Sequence, residues 1–211
     1  MVVFDVDGTL YRQGRLRALM AVAMSAGLLR GELSATDIRV LRTYRRMREQ
    51  VADRGGPVAD AVDATASKLR CSTSNVLAVQ DEWLLRRPLA YLPRVSLAGV
   101  AELIESLRDR DIAVVAWSDY PAEEKTRALG LRFDYVVVAG DTDVPALKPD
   151  PSGLLKALKL TGVTADQTLV VGDRDERDGA AARAIGAEYL IVRSGLTRHA
   201  ISEVQRQTMR V

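Results

Sequence analysis

The sequence holds a single cysteine, Cys71, and a single histidine, His199, in 211 residues. One thiol forms neither an internal disulfide nor a cysteine-rich zinc site. One imidazole leaves little room for a histidine triad, a phosphohistidine mechanism or the histidine pair of a zinc hydrolase. An enzyme built from this chain has to work with carboxylates or lysine. Charge of one sign is also missing: thirty Lys and Arg against twenty-eight Asp and Glu leave +2, which gives no general argument for a nucleic-acid coat. The longest apolar stretch, Leu16 to Leu29, carries Arg17 and is too short to span a bilayer. The start, Met1-Val-Val-Phe-Asp5, meets an acid before a signal-peptide apolar region fits. No Walker loop, helix-turn-helix, zinc or RNA-binding signature is present. The expectation is a soluble, cytoplasmic protein with neither membrane nor nucleic acid as partner.

What is there is an ordinary globular composition, 47% hydrophobic and 27% charged, too apolar for disorder. It divides into two textures. Residues 12–92 show almost no strand signal. Leu16, Leu19, Met20 and Ala23, then Val40, Leu41, Tyr44, Met47 and Val51, recur at helical spacing. Ser34, Thr36 and Asp37 offer N-cap chemistry to the second helix, and Gly55-Gly56-Pro57 ends it. Two shorter helices are expected near Val58–Leu69 and Ser74–Leu85. From Ser96 onward, short apolar strands (Ile112–Trp117, Tyr135–Val138, Thr168–Val171, Tyr189–Val192) alternate with helices, and Val2–Phe4 supplies a further strand. Such alternation implies a parallel sheet covered on both faces. The expected architecture is an α/β, Rossmann-like core from residues 1–11 and 93–211, split by a helical insertion over residues 12–92.

In open α/β sheets ligands bind beyond the carboxyl ends of the strands. The polar residues that follow each strand are Asp5-Val-Asp7-Gly8-Thr9, Ser118-Asp119 and Gly172-Asp173 through Asp178, with Lys148 in the loop beyond the third. Asp5 and Asp7 leave one strand end toward one cleft and repel each other unless a cation or a proton intervenes. Hard oxygen donors without His or Cys point to Mg²⁺ rather than zinc. Gly8 permits a tight turn whose N–H groups cradle an anion, and Ser118 and Lys148 suit phosphate oxygens. This combination suits in-line phosphoryl transfer through an aspartyl-phosphate, which needs positioning and charge neutralisation more than a titrating histidine.

These residues also carry a resemblance. Asp5-Val-Asp7-Gly8-Thr9-Leu10, Ser118, Lys148-Pro149-Asp150-Pro151 and Gly172-Asp173 through Asp178-Gly179, in that order, resemble the four signature motifs of the haloacid dehalogenase superfamily. The resemblance implies that Asp5 is the nucleophile and a Mg²⁺ ligand. It implies that Asp7 is the general acid and base, with its backbone carbonyl on the metal. Gly8, Ser118, Asp119 and Lys148 form the implied phosphate-binding set, although Asp119 stands where many relatives carry Asn. Asp173 and Asp178 complete the implied metal site, and Thr9 supports the nucleophile loop. The second aspartate favours phosphate-ester hydrolysis over dehalogenation, because halide needs no acid to leave. The insertion lies where the superfamily places its cap. Its only lysine, Lys68, matches no Schiff-base position.

The expected activity is a Mg²⁺-dependent phosphatase for a small phosphorylated metabolite. A phosphomutase or phosphotransferase using the same intermediate is the alternative, and a silent binding module a weaker one. Residues 12–92 carry fourteen Lys or Arg against eight Asp or Glu, a balance of +6. Arg42, Arg45, Arg46 and Arg48 read as a solvated helix face or as steering for an anion. Met20 and Met24 read as packing residues, and Trp83, near the return to the core, as a core or hinge residue or as part of the pocket lining.

Overall fold

Val2, Val3 and Phe4 are completely inaccessible, which demands a strand with neighbours on both sides and cover on both faces. A computed structural model describing residues 1–209 shows that strand at the centre. Residues 210 and 211, the end of the expected core segment, lie outside the described residues. Strands β1 (Val2–Asp5), β2 (Val114–Ser118), β3 (Tyr135–Val138), β4 (Leu169–Gly172) and β5 (Glu188–Ile191) form one parallel sheet in the order β3-β2-β1-β4-β5. Val2 of β1 stands opposite Val114 on one side and Leu169 on the other. The chain fills one side of β1 and then the other, so the switch in strand order falls beside β1.

Side chains alternate across the sheet. Val2 and Phe4 join one apolar layer with Ile104, Leu107 and Val204, from helices α6 (Val100–Arg108) and α10 (Arg198–Thr208). Val3, Val115 and Trp117 join the other with Leu154 and Ala181, from α8 (Ser152–Thr161) and α9 (Ala180–Ile185). The expected second strand starts two residues later and ends one residue later. Asp111 takes a left-handed turn at φ 57°, the Val114 N–H is capped by Asp134 at 2.8 Å, and Ser118 becomes the last strand residue.

Between β1 and β2 the chain is helical: α1 (Gln13–Leu29), α2 (Ala35–Asp53), α3 (Val58–Leu69), α4 (Thr73–Gln80) and α5 (Arg87–Leu89). Helix α2 starts at a full capping box, with Ser34 and Asp37 satisfying each other's backbone N–H groups. The helix expected over Ser74–Leu85 instead widens into a π-type turn at Asp81–Arg86. That turn seats Trp83 against Gly27 of α1, where a Cβ would meet the indole at 2.5 Å. The ends of the insertion are tied together, since Arg12 donates its N–H to Val95 at 2.9 Å. After β2, the short helix α7 (Glu123–Ala128) returns beside the strand ends.

Candidate active site

The sheet brings the ends of β1, β2 and β4 together and lays the Lys148 loop across them. Asp5 ends β1 and is buried, as are Ser118, Lys148 and Asp178. Lys148 Nζ sits between carboxylates, 2.7 Å from Asp5 Oδ1 and 2.7 Å from Asp178 Oδ1, and donates to the Trp117 carbonyl at 3.0 Å. Its ammonium also lies 4.3 Å from the centre of the Trp117 ring. Thr9 donates to Asp5 Oδ2 at 2.9 Å. Burial and two nearby acids oppose one lysine at Asp5, and its carboxyl is held well above the usual range. Burial likewise lifts Asp173 to about 6, with Asp178 adding to the rise. Lys148 is buried too, but its acid neighbours override this and push it further up.

Oxygen atoms of Asp5, Asp173 and Asp178 all lie within 4.8 Å of one another. Three carboxylates gathered so closely around one lysine are an all-oxygen donor set that suits a hard divalent cation. The turn after β1 is shaped for this approach. Gly8 has φ +100°, and a Cβ there would fall 2.2 Å from Asp173 Oδ2, so a side chain is excluded twice over.

Asp7 turns away from that cluster. Both of its oxygens accept from Lys125 of α7 at 2.7 Å, and Tyr11 donates to Oδ1. Burial alone would raise its pKa, but Lys125 and the Tyr11 hydroxyl outweigh burial and hold it below the usual carboxylate range. The two aspartates are therefore separated electrically: Asp5 belongs to the acid cluster and Asp7 to a lysine of its own. Neither Lys125 nor Tyr11 is among the residues singled out from sequence. Lys125 looks like one end of an ordinary Glu-Glu-Lys surface run. The available signal for Tyr11 was its position four residues after Asp7.

Asp119 lines the same cavity, but its carboxylate accepts the Lys148 N–H at 3.0 Å and so braces two loops against each other. Ser118 Oγ accepts the Tyr120 N–H at 3.1 Å. From α2, Arg48 stacks 3.8 Å over the Tyr120 ring, donates to Tyr44 Oη at 3.1 Å and to the Asp119 carbonyl. Next to it on α2 and one turn further on, Glu49 and Asp53 receive Arg177, which also donates to the Lys148 carbonyl at 3.1 Å. Arg42 and Arg46 lie instead along a groove between α2 and α3, away from the acid cluster. A cavity of about 570 Å³ runs from Asp7, Lys148 and Asp178 up to α1 and α2. Met20, Met24 and Trp83 line it as well as packing beneath it.

The sequence pattern of the haloacid dehalogenase-like hydrolases matches residues 1–186. The phosphoglycolate phosphatase of Pseudomonas syringae pv. tomato is 41% identical over 210 residues, covering 92% of this chain and 70% of its own. The phosphoglycolate phosphatase of Rhodospirillum rubrum is 28% identical over 212 residues, covering 96% and 83%. Among solved structures, the 2-haloacid dehalogenase of Pseudomonas syringae pv. tomato superposes with a TM-score of 0.67 at 18% identity, covering 99% of this chain and 97% of the other. That last likeness is one of fold.

Proposed function

The chain belongs to the haloacid dehalogenase-like hydrolases, and from that premise we propose that it hydrolyses the phosphomonoester of a small metabolite with Asp5 as nucleophile. The observation that carries this reading is the different surroundings of two aspartates only two residues apart. Asp5 lies among Lys148, Asp173 and Asp178, whereas Asp7 is paired with Lys125. A dehalogenase needs only the first carboxylate; a phosphatase needs both.

In this reading Ser118, Lys148 and the N–H groups of the turn at Gly8 hold the phosphoryl group in line with Asp5. An Asp5 oxygen attacks phosphorus, the bond to the leaving oxygen breaks, and Asp7 gives that oxygen a proton. Phosphate arriving beside Lys125 competes with Asp7 for the ammonium, and burial then favours the protonated carboxyl, its proton taken from solvent or kept from the preceding turnover. Once the alcohol has left, Asp7 is a carboxylate again. It takes a proton from water as the water attacks phosphorus and Asp5 is released. Asp5, Asp173, Asp178 and the Asp7 carbonyl would hold Mg²⁺, which would neutralise charge on the phosphoryl oxygens. The helical stretch 12–92 would act as the cap that encloses the leaving group.

The test is phosphate release from an aryl phosphate by the purified protein, with and without Mg²⁺. Wild type is expected to require the metal, and Asp5→Asn to lose more than about a thousand-fold in kcat. Metal-independent release, or an Asp5→Asn variant as fast as wild type, overturns the reading.

A further inference from the structure

The cavity above the strand ends has two chemically different ends. Around the acid cluster the wall is charged or polar apart from Leu147. Toward the insertion one part of the wall is Leu16, Met20 and Met24 of α1 with Trp83, Leu84 and Leu92, while α2 contributes Arg45, Arg48 and Glu49. The three α1 residues recur every fourth position and so form one stripe along the helix. Helix α1 contains no Asp or Glu, and apart from the glycine-flanked Gln13 its only polar contribution to the cavity is Arg17 at the rim. Trp83 is fixed edge-on between Gly27 and the Arg87 guanidinium, which stacks 4.1 Å from its ring.

Size and polarity both bear on the leaving group. About 570 Å³ falls within the roughly 300–1,000 Å³ that encloses drug-sized ligands. A two-carbon acid bound at Lys148 would leave Met24, the half-buried member of the α1 stripe, uncovered, while Leu16 and Met20 show the cavity only a small part of their surface. A sugar would place hydroxyls against Leu16, Met20 and Met24, which offer no partner, and would lose hydrogen bonds to water without replacement. An alkyl or aryl body covers the same wall favourably, and methionines adapt to its outline. Arg17 and Arg45 at the rim attract the phosphate end without needing to touch the apolar end.

We infer that the preferred substrates are phosphomonoesters of apolar alcohols, the hydrocarbon body lying along Leu16, Met20 and Met24 opposite Trp83. This rests on the phosphatase reading and narrows its substrate class. It also separates this chain from relatives named for phosphoglycolate.

The test compares kcat/KM for methyl, butyl, hexyl and octyl phosphate, with phosphoglycolate alongside, at saturating Mg²⁺. A gain of about two- to four-fold per methylene is expected until the wall is covered, with octyl phosphate well above phosphoglycolate. In Met24→Glu the octyl-to-methyl ratio is expected to collapse toward one, whereas Met24→Leu keeps it. That ratio cancels the fraction of folded enzyme, so a poorly folding variant does not imitate the result. A flat or falling series in an active enzyme, or a ratio unmoved by Met24→Glu, overturns the apolar-substrate inference and leaves the phosphatase reading intact. Hydrolysis of none of the esters removes both.

Discussion

Lys125 is the residue whose importance follows from contact alone. It is buried, and both oxygens of Asp7 rest on it. Replacing it with methionine leaves a carboxylate 18% exposed at its side chain with only Tyr11 for a partner, and orphaning a buried charge costs about 3–5 kcal/mol. Urea unfolding at pH 7 is expected to show a loss at or below that range, given the residual exposure. Asp7→Asn added to Lys125→Met should recover part of it, because the second change removes the orphaned charge. The deficit should also shrink as pH falls into and through the ordinary carboxylate range: without Lys125, burial is unopposed, and Asp7 then takes up its proton more readily than the wild-type residue does. Phosphatase activity should fall with Lys125→Met and return partly with Lys125→Arg. The residues of the acid cluster were legible because each follows an apolar strand and stands in a recognisable string. Lys125 and Tyr11 were not, since one lysine in a charged helix and one tyrosine in a turn carry no pattern until the fold closes around Asp7.

At the scale of elements, helix α2 is the piece that joins the insertion to the site. Its Arg48 reaches the loop after β2, while Glu49 and Asp53 reach Arg177, whose guanidinium holds the Lys148 loop. Its start depends on Ser34, whose hydroxyl accepts the Asp37 N–H at 3.0 Å. Ser34→Ala is expected to cost about 1 kcal/mol, read as a lower denaturant midpoint with an unchanged slope. A loss below about 0.3 kcal/mol would mean that packing fixes this end of the helix without the cap. Helix α2 was legible in advance from Ser34, Asp37 and the apolar spacing through Val51, and α3 from Gly55-Gly56-Pro57 before Val58. The widening at Asp81–Arg86 was not. Its cause is a tertiary contact, the indole of Trp83 meeting Gly27 on a different helix, and local sequence cannot report a neighbour 56 positions away in the chain. The apolar stripe of α1 was visible as periodicity, but the same spacing serves a packed core or a cavity wall equally well.

For the molecule as a whole, the sheet concentrates acids that the unfolded chain would keep apart. Asp5 and Asp119 are raised by burial, and Asp173 to about 6, while free Asp titrates near 3.9. A raised carboxyl binds its proton more tightly in the folded state, so its contribution favours folding at low pH and is lost as pH rises through the folded pKa. Asp7, held low, has the opposite sign, but its effect is confined below about pH 4. Metal-free protein is therefore expected to melt higher near pH 5 than near pH 7, each 1 kcal/mol appearing as about 2–4 °C. Saturating Mg²⁺ should abolish or reverse that order, since the ion favours the ionised cluster. A metal-free melting curve that rises from pH 5 to pH 7 would refute the account. The same geometry has an optical consequence. Of the chain's two tryptophans, Trp83 lines the cavity beneath the Arg87 guanidinium, and Trp117 lies in the core beneath the Lys148 ammonium. Their emission can be separated by Trp83→Phe and Trp117→Phe, so the protein carries two built-in fluorophores. One responds to what arrives at the phosphoryl end, the other to what lies along the wall.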